Sequence, residues 1–178
     1  MSRRTIAIAA ALSVLALGSP LVGANANPLA TQYFDQGIEK YDAGNYQGAI
    51  DDYTKAIEIN PQYAIAYNSR GNAKRYLNDR QGAIADFTTA IEINPRFVLA
   101  YFNRGIDRFE LGDYRGAITD YDKAIEIVPQ DEDAYYWRAA AKTKLGDHQG
   151  AIADWTKVIE IKPKNKLSGL AYRNRGVD

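Results

Sequence analysis

The chain has 178 residues with 22 basic and 22 acidic side chains, so its formal net charge is zero. That balance argues against broad electrostatic binding to nucleic acid or to an anionic membrane surface. The sequence contains no cysteine and one histidine, which excludes disulfides, thiol nucleophiles and thiolate metal sites. We therefore expect no catalytic residues, no metal and no cofactor, and a protein whose function is binding.

The first 26 residues have the order of a secretory signal peptide. Arg3 and Arg4 give a basic start, residues 6–17 are apolar or small, and residues 24–26 form an Ala-x-Ala cleavage site. We predict cleavage before Asn27 and export to the periplasm or beyond the cell, which would leave a net charge of −2. An uncleaved membrane anchor is the alternative, but a bilayer span needs about 20 apolar residues. We therefore expect no transmembrane segment after cleavage.

Four prolines recur at intervals of 34 residues, and each stands two positions after an Ile-Glu-Ile triplet. These prolines are Pro61, Pro95, Pro129 and Pro163. Internal repeats of this length are typical of solenoids built from stacked units. We predict one domain over residues 27–178, with four units at 30–63, 64–97, 98–131 and 132–165 and a partial capping helix at 166–178.

Each unit carries the signals of two helices joined by a short turn. The turn contains a residue that tolerates the left-handed backbone conformation, namely Gly44, Asn78, Gly112 or Gly146. The next residue suits the N-cap of the second helix, and these are Asn45, Asp79, Asp113 and Asp147. The proline then ends the second helix, because the residue before a proline avoids the helical region.

This 34-residue pattern resembles the tetratricopeptide repeat over residues 30–165. In that family, small residues stand where the two helices of a unit cross. The matching first-helix positions are Gly37, Gly71, Gly105 and Ala139, and those of the second helix are Ala49, Ala83, Ala117 and Ala151, then Ala56, Ala90, Ala124 and Val158. The resemblance implies an all-α fold, a right-handed solenoid of four helical hairpins with 34 residues each, plus a partial fifth helix.

Arginine and aspartate also recur with the period, one in each helix of a unit. Before the first small position stand Gln36, Arg70, Arg104, Arg138 and Arg175. The second helices carry Asp52, Asp86, Asp120 and Asp154. Pairing between neighbouring units leaves no aspartate or arginine over, so we predict the pairs Asp52–Arg70, Asp86–Arg104, Asp120–Arg138 and Asp154–Arg175. A solvated charged face is the alternative.

The resemblance implies that the first helices line a concave face that binds a peptide or helix of a partner. Residues at i, i+4 and i+7 share one face of a helix. One triad per unit follows: Phe34, Ile38 and Tyr41; Asn68, Asn72 and Arg75; Phe102, Ile106 and Phe109; Tyr136, Ala140 and Thr143. Because two apolar triads flank a polar one, we predict apolar pockets on both sides of an amide clamp, with Arg75 binding an acid. Internal cover of these rings by the chain itself is an equally weighted alternative.

The best-known groove of this family binds the acidic tail of chaperones through a two-carboxylate clamp of Lys, Asn and Arg. The matching positions here are Phe34, Ile38, Ser69, Leu99 and Asn103. Asn103 alone has the required polarity, and it stands in the wrong unit. We therefore expect this clamp to be absent.

These observations predict a non-catalytic scaffold or adaptor that binds a partner protein or peptide in its concave groove. By family analogy, such a protein assists assembly of an envelope or membrane complex. The alternative is a self-associating structural module, that is, a homo-oligomer. His148 stands at the start of a second helix, where we expect it to pack or face solvent.

Overall fold

The computed structural model describes residues 27–164 and 166–176, all of whose secondary structure is helical. The helices are α1 (Pro28–Asp42), α2 (Tyr46–Ile59), α3 (Ala64–Tyr76), α4 (Arg80–Ile93), α5 (Val98–Glu110), α6 (Tyr114–Ile127), α7 (Glu132–Lys144), α8 (His148–Ile161) and α9 (Lys166–Arg175). They form four hairpins and a ninth helix, which confirms the predicted all-α fold. The predicted signal peptide lies outside the described residues.

The turns and caps follow the sequence signals. Gly44, Gly112, Gly146 and Asn78 have φ between 65° and 83°, the region where glycine and asparagine are tolerated. Each predicted cap accepts the backbone N–H three residues later, as Asp113 does from Gly116 at 2.9 Å. A Cβ on Gly116 would overlap the Asp113 carboxylate, which explains the glycine at this position of every second helix. The predicted turn residues and N-caps are therefore confirmed.

In each of the first three hairpins, the two helices cross over a glycine that an aromatic ring covers. A Cβ added to Gly105 would lie 2.7 Å from Cε1 of Tyr121, closer than a carbon contact allows. Gly71 lies in the same way against Phe87 and Gly37 against Tyr53. In the fourth hairpin Ala139 packs in a cluster with Trp155 and Val158. The small residues thus set the spacing between the two helices.

Successive first helices also contact one another, α3 with α5, α5 with α7 and α7 with α9. No comparable contact joins successive second helices within the described residues. The array therefore bends towards its first helices, whose exposed surfaces lie side by side. We call this surface the first-helix face. None of the described helices is both long and apolar enough to cross a bilayer.

The recurring arginines pair within hairpins, so the predicted pairing between neighbouring units is wrong. The distances from Arg70 to Asp86, Arg104 to Asp120 and Arg138 to Asp154 are 2.6–2.7 Å. Each aspartate is buried. A second cation, one helical turn after the arginine, also contacts the same carboxylate: Lys74, Arg108 and Lys142 in these three hairpins. In the first hairpin Lys40 takes this place against Asp52.

The same arginines do connect neighbouring hairpins, through a different atom. Arg70 donates from Nη1 to the Thr54 hydroxyl of the preceding hairpin at 3.1 Å, and Arg104 donates likewise to Thr88 at 3.0 Å. Arg175, predicted to pair with Asp154, instead donates to Thr156 at 3.3 Å. Each guanidinium thus joins its own hairpin to the one before it. Because the side-chain spacing repeats, this contact helps to fix the register of stacking.

Candidate binding face

The first-helix face has three zones along the array, an aromatic one at each end and a polar one between them. The first zone is a tyrosine cluster formed by Tyr41, Tyr46 and Tyr76. The rings of Tyr46 and Tyr76 stack at 4.5 Å with 11° between their planes, and Tyr41 stands edge-on to both. Burial raises the pKa of the Tyr41 hydroxyl above its usual value, and the neighbouring Tyr76 adds to that rise.

The polar zone is a network centred on Asp107, whose side chain is fully buried. Nε of Arg75 lies 2.9 and 3.1 Å from the two carboxylate oxygens, and Nη1 of Arg80 lies 2.9 Å from one of them. Arg75 also donates to the Asn103 carbonyl, and the Asn103 amide donates to Asn68. Burial raises the pKa of Asp107, and the two arginines oppose that rise.

This network changes the role predicted for the polar triad. The acid that Arg75 binds belongs to its own chain, so its guanidinium is not free to bind a ligand's carboxylate. Asn68 is buried and accepts a hydrogen bond from Asn103. Asn72 remains half-buried at the surface. The network joins the second and third hairpins through their first helices, and it occupies the place of the predicted amide clamp.

The second aromatic zone lies on the third and fourth hairpins. The ring of Phe109 stands edge-on to Tyr114 at 5.2 Å and to Trp137 at 5.5 Å. Tyr136 in turn stands edge-on to Trp137 at 6.1 Å. All four side chains are half-buried, so part of each ring faces solvent. Two predicted site residues, Phe109 and Tyr136, are thus brought together by a tryptophan that the triad spacing omitted.

Two of the predicted aromatic residues serve the interior of the hairpins. Phe34 packs 5.5 Å from Tyr53 and 5.1 Å from Tyr63 and contributes to two core clusters. Phe102 lies 5.9 Å from the buried ring of Tyr121. Both are half-buried, so the internal-cover alternative describes them in part.

The exposed apolar positions of the face coincide only in part with the predicted triads. Ile38 is 39% exposed, and Ile106 is half-buried. Ala140 is half-buried and Thr143 is exposed. Tyr76, which the triads omit, is the most exposed large side chain of the face at 56%.

The residues that sequence reasoning missed lie at the ends of helices or inside the first helices, outside the predicted triads. They are Tyr46, Tyr76, Arg80, Asn103, Asp107, Tyr114 and Trp137. Tyr46, Arg80 and Tyr114 share one position of the repeat, the first residue of the second helix, which faces the end of the first. Asp107 stands where two other units have Ala73 and Ala141. An aspartate at a position where two other units have alanine was the feature of the sequence that could have indicated the polar network.

Comparison with known proteins identifies the repeat. A family model described as TPR repeat matches residues 37–75 and 107–146, and one described as tetratricopeptide repeat matches residues 64–97 and 132–165. Together they cover about two thirds of the chain. A curated protein, tetratricopeptide repeat protein 36 homolog from Nematostella vectensis, is 44% identical over 46 residues. That match covers 26% of this chain and 25% of the relative, so the chain matches about a quarter of the relative's length.

Solved structures share the same architecture over most of the chain. The crystal structure of MamA protein is 27% identical, with a TM-score of 0.74 and 84% of both chains covered. The first TPR of Spaghetti (RPAP3), bound to the HSP90 peptide SRMEEVD, is 25% identical with a TM-score of 0.66, over 71% of this chain and 99% of that chain. MamA from Desulfovibrio magneticus RS-1 is 17% identical with a TM-score of 0.76, over 85% of this chain and 88% of that chain, and shows the fold alone.

Proposed function

The chain belongs to the tetratricopeptide repeat family, a family of non-catalytic protein–protein interaction scaffolds, and from that premise we propose that it binds a segment of a partner protein on its first-helix face. The observation that carries the proposal is the pair of partly exposed aromatic zones, separated by a hydrogen-bonded polar network. Exposed apolar surface of this kind is stabilised when a partner covers it. The peptide bound to the RPAP3 relative supports the same general mode.

The arrangement of the face favours a bound segment that spans several hairpins. Aromatic side chains supply large contact areas at a low cost in conformational entropy, which makes them frequent binding hot spots. The tyrosine cluster lies on the first two hairpins, and the Phe109–Trp137 zone lies on the third and fourth. The Asp107 network links α3 to α5 between the two zones. A preformed surface of this kind avoids part of the entropic cost of binding.

We also propose that the protein acts after export, in the assembly of an envelope or membrane complex. This part rests on the signal-peptide pattern of the first 26 residues and on family analogy. N-terminal sequencing of the protein from the secreted or periplasmic fraction would find Asn27 first. Recovery of a chain that still begins with Met1 would contradict export by cleavage.

A matched pair of charge insertions tests the binding face. Ile38 on α1 is 39% exposed and Ile152 on α8 is 43% exposed, so glutamate at either position should leave the fold intact. The tagged full chain and both variants would be used to capture partners from an envelope extract, with cross-links mapped by mass spectrometry. We expect Ile38→Glu to lose the partner and Ile152→Glu to retain it, with cross-links on the first helices.

Circular dichroism of both variants serves as the folding control. Phe34 is unsuitable for this test, because it packs in two core clusters and its loss would unfold the first hairpin. Equal capture by both folded variants, with cross-links on second helices, would contradict binding on the first-helix face.

A further inference from the structure

One position of the repeat occupies the middle of the first-helix face. In the second hairpin this position is Asn72. Arg75 contacts Asp107 of the next hairpin, whereas Tyr76 contacts Tyr46 of the preceding one. Because Asn72 stands three residues before Arg75 and four before Tyr76, it lies between the two sides of α3 that pack on neighbouring hairpins. The side chain of Asn72 therefore belongs to the open part of the face.

The equivalent residues of the other hairpins are apolar. Ile106 lies between Phe109, which contacts the next hairpin, and Glu110, which contacts the preceding one. Ile38 is 39% exposed, and Ile106 is half-buried. Since these residues recur at intervals of 34, they form a row across the first helices. We call it the central row, and it consists of Ile38, Asn72, Ile106 and Ala140.

Every charged side chain of α3 and α5, the two middle first helices, is paired within the chain. All three cations of α3 contact aspartates. On α5 the two arginines contact Asp120, and Asp107 contacts two arginines of the second hairpin. The last charged residue of α5, Glu110, lies 3.7 Å from Arg80. A ligand charge placed on the central row here would lose hydration without gaining a free counter-charge. The middle of the face therefore favours an uncharged segment.

Asn72 is the polar member of the central row, and its amide has no partner. The side chain is half-buried and forms no hydrogen bond within the described residues. Asn68, by contrast, accepts a hydrogen bond from Asn103 at 3.1 Å. The amide of Asn72 offers both donors and an acceptor. A purely apolar ligand group above it would bury these groups unsatisfied, which is unfavourable. The ligand atoms that cover Asn72 are therefore polar as well as uncharged.

A backbone peptide group meets both requirements. It is uncharged, and its N–H and C=O complement the side-chain amide of Asn72. A helical ligand uses these groups for its own hydrogen bonds, whereas an extended segment leaves them available. Packed helices lie about 8–10 Å apart, which an extended chain spans in about three residues. Apolar side chains about three residues before and after the bound peptide group would therefore lie over Ile38 and Ile106.

We propose that the partner segment bound on the first-helix face is extended, apolar and uncharged where it crosses α3 and α5, with one of its backbone peptide groups hydrogen-bonded to the side-chain amide of Asn72. Apolar side chains on both sides of this group pack on Ile38 and Ile106. This assignment rests on the proposed function and adds the chemistry and the conformation of the ligand. It differs in charge from the acidic peptide named with the RPAP3 relative.

Selection from a random peptide library tests the chemistry of the ligand. Peptides would be selected on the immobilised chain, and those retained by Ile152→Glu and lost by Ile38→Glu would be kept. We expect these peptides to contain an uncharged apolar run, and their affinity to change less than about twofold between about 0.05 and 0.5 M salt. Charged peptides with salt-sensitive binding would overturn the inference and leave the proposed function standing. Failure of Ile38→Glu to lose any peptide would count against the proposed function itself.

A matched pair of amide deletions tests the role of Asn72. Asn72→Ala removes an unpaired amide and introduces a better helix former, so we expect an unchanged or higher melting temperature. Gln81→Ala removes an exposed amide from α4, the second helix of the same hairpin. Fluorescence anisotropy with a selected peptide should show binding weakened roughly three- to tenfold by Asn72→Ala and unchanged by Gln81→Ala. Equal affinity of the two variants would overturn the assignment.

Replacement of single peptide bonds of the ligand by esters locates the backbone contact, because an ester has no N–H donor and is a weaker acceptor. One ester position should weaken binding to the unchanged chain and have little further effect on binding to Asn72→Ala, which is the signature of two groups in contact. Ester positions that all act equally on the chain and on Asn72→Ala would overturn the backbone contact. A peptide that circular dichroism shows to be helical when bound would overturn the extended conformation.

A second copy of the chain is the competing occupant of the central row. Light scattering over a range of concentrations separates the two cases. A monomer at all concentrations is expected if the occupant is a separate protein. Self-association that Ile38→Glu abolishes and Ile152→Glu preserves would place a second copy on this surface and overturn the assignment to a separate partner.

Discussion

The pairing of the recurring arginines can be tested by a double-mutant cycle between Arg104 and Asp120. Asp120 is 1% exposed and accepts hydrogen bonds from Nε and Nη2 of Arg104, and from Arg108 at 2.8 Å. Removal of one partner from a buried ion pair costs about 3–5 kcal/mol. Because Arg108 remains, we expect Arg104→Met to cost about 3 kcal/mol, at the lower end of that range.

Asp120→Asn leaves two cations facing an amide, and we expect a cost of about 3–5 kcal/mol. The double variant should cost clearly less than the sum of the two single variants. The expected coupling is about 2–3 kcal/mol, the upper part of the range for residues in direct contact. The matched cycle pairs Arg104 with Asp86, the aspartate of the preceding hairpin, and its coupling should stay below about 0.5 kcal/mol.

The free energy of unfolding would be measured in urea by circular dichroism and by the fluorescence of the two tryptophans. Stacked repeats can lose cooperativity, so both signals must change together before the energies are compared. A coupling of Arg104 with Asp86 that equals or exceeds its coupling with Asp120 would refute the pairing within hairpins. It would instead restore the pairing between neighbouring units.

Two further predictions concern packing and capping. Gly105→Ala should lower the free energy of unfolding by about 1–3 kcal/mol, because its Cβ would lie 2.7 Å from Tyr121 and force the ring to move. Gly169→Ala has nothing within 4 Å of its Cβ, so it should raise the free energy of unfolding by about 0.5–1 kcal/mol. Thermal denaturation compares the two variants. Asp113→Ala should cost about 1 kcal/mol through the lost N-cap of α6, whereas Gly116→Ala should stay within about 0.5 kcal/mol, since better helix propensity offsets a displaced cap. Equal melting temperatures for the members of either pair would contradict the corresponding argument.

The helices and turns could be predicted because their signals are local. A glycine with positive φ, a capping aspartate and a proline each act within a few residues, and the 34-residue period repeats the set four times. Asn78 shows how far this extends, since it takes φ of 65° in the one turn without glycine. The sequence shows that glycine recurs at the position of Gly116 but does not show the reason for it. Its cause is the rotamer of the Asp113 cap, which no spacing in the sequence specifies.

The binding face could be predicted only in outline, because the triad rule treats each first helix alone. It included Tyr41 and Phe109, and the structure brings each against rings from other helices. Tyr46 begins a second helix and Tyr76 ends the next first helix, so neither falls in a triad. Trp137 follows Tyr136 in the chain but falls outside its triad, and it reaches Phe109 from the neighbouring hairpin. Contacts between hairpins decide this surface, and they depend on the distance at which the units stack.

The error in the arginine pairing has a physical origin that the sequence also contained. The prediction counted arginines against aspartates. It rejected pairing within units because Asp52 would then face Gln36 and have no cationic partner. It omitted the cation one helical turn later, which recurs with the same period as Lys40, Lys74, Arg108 and Lys142. Residues at i and i+4 share a helix face, so this cation reaches the aspartate that the arginine reaches. Asp52 is therefore paired with Lys40, and each arginine has an Nη1 group left to bind the preceding hairpin. The repeat thus uses one side chain for two contacts, and a count of opposite charges cannot detect that.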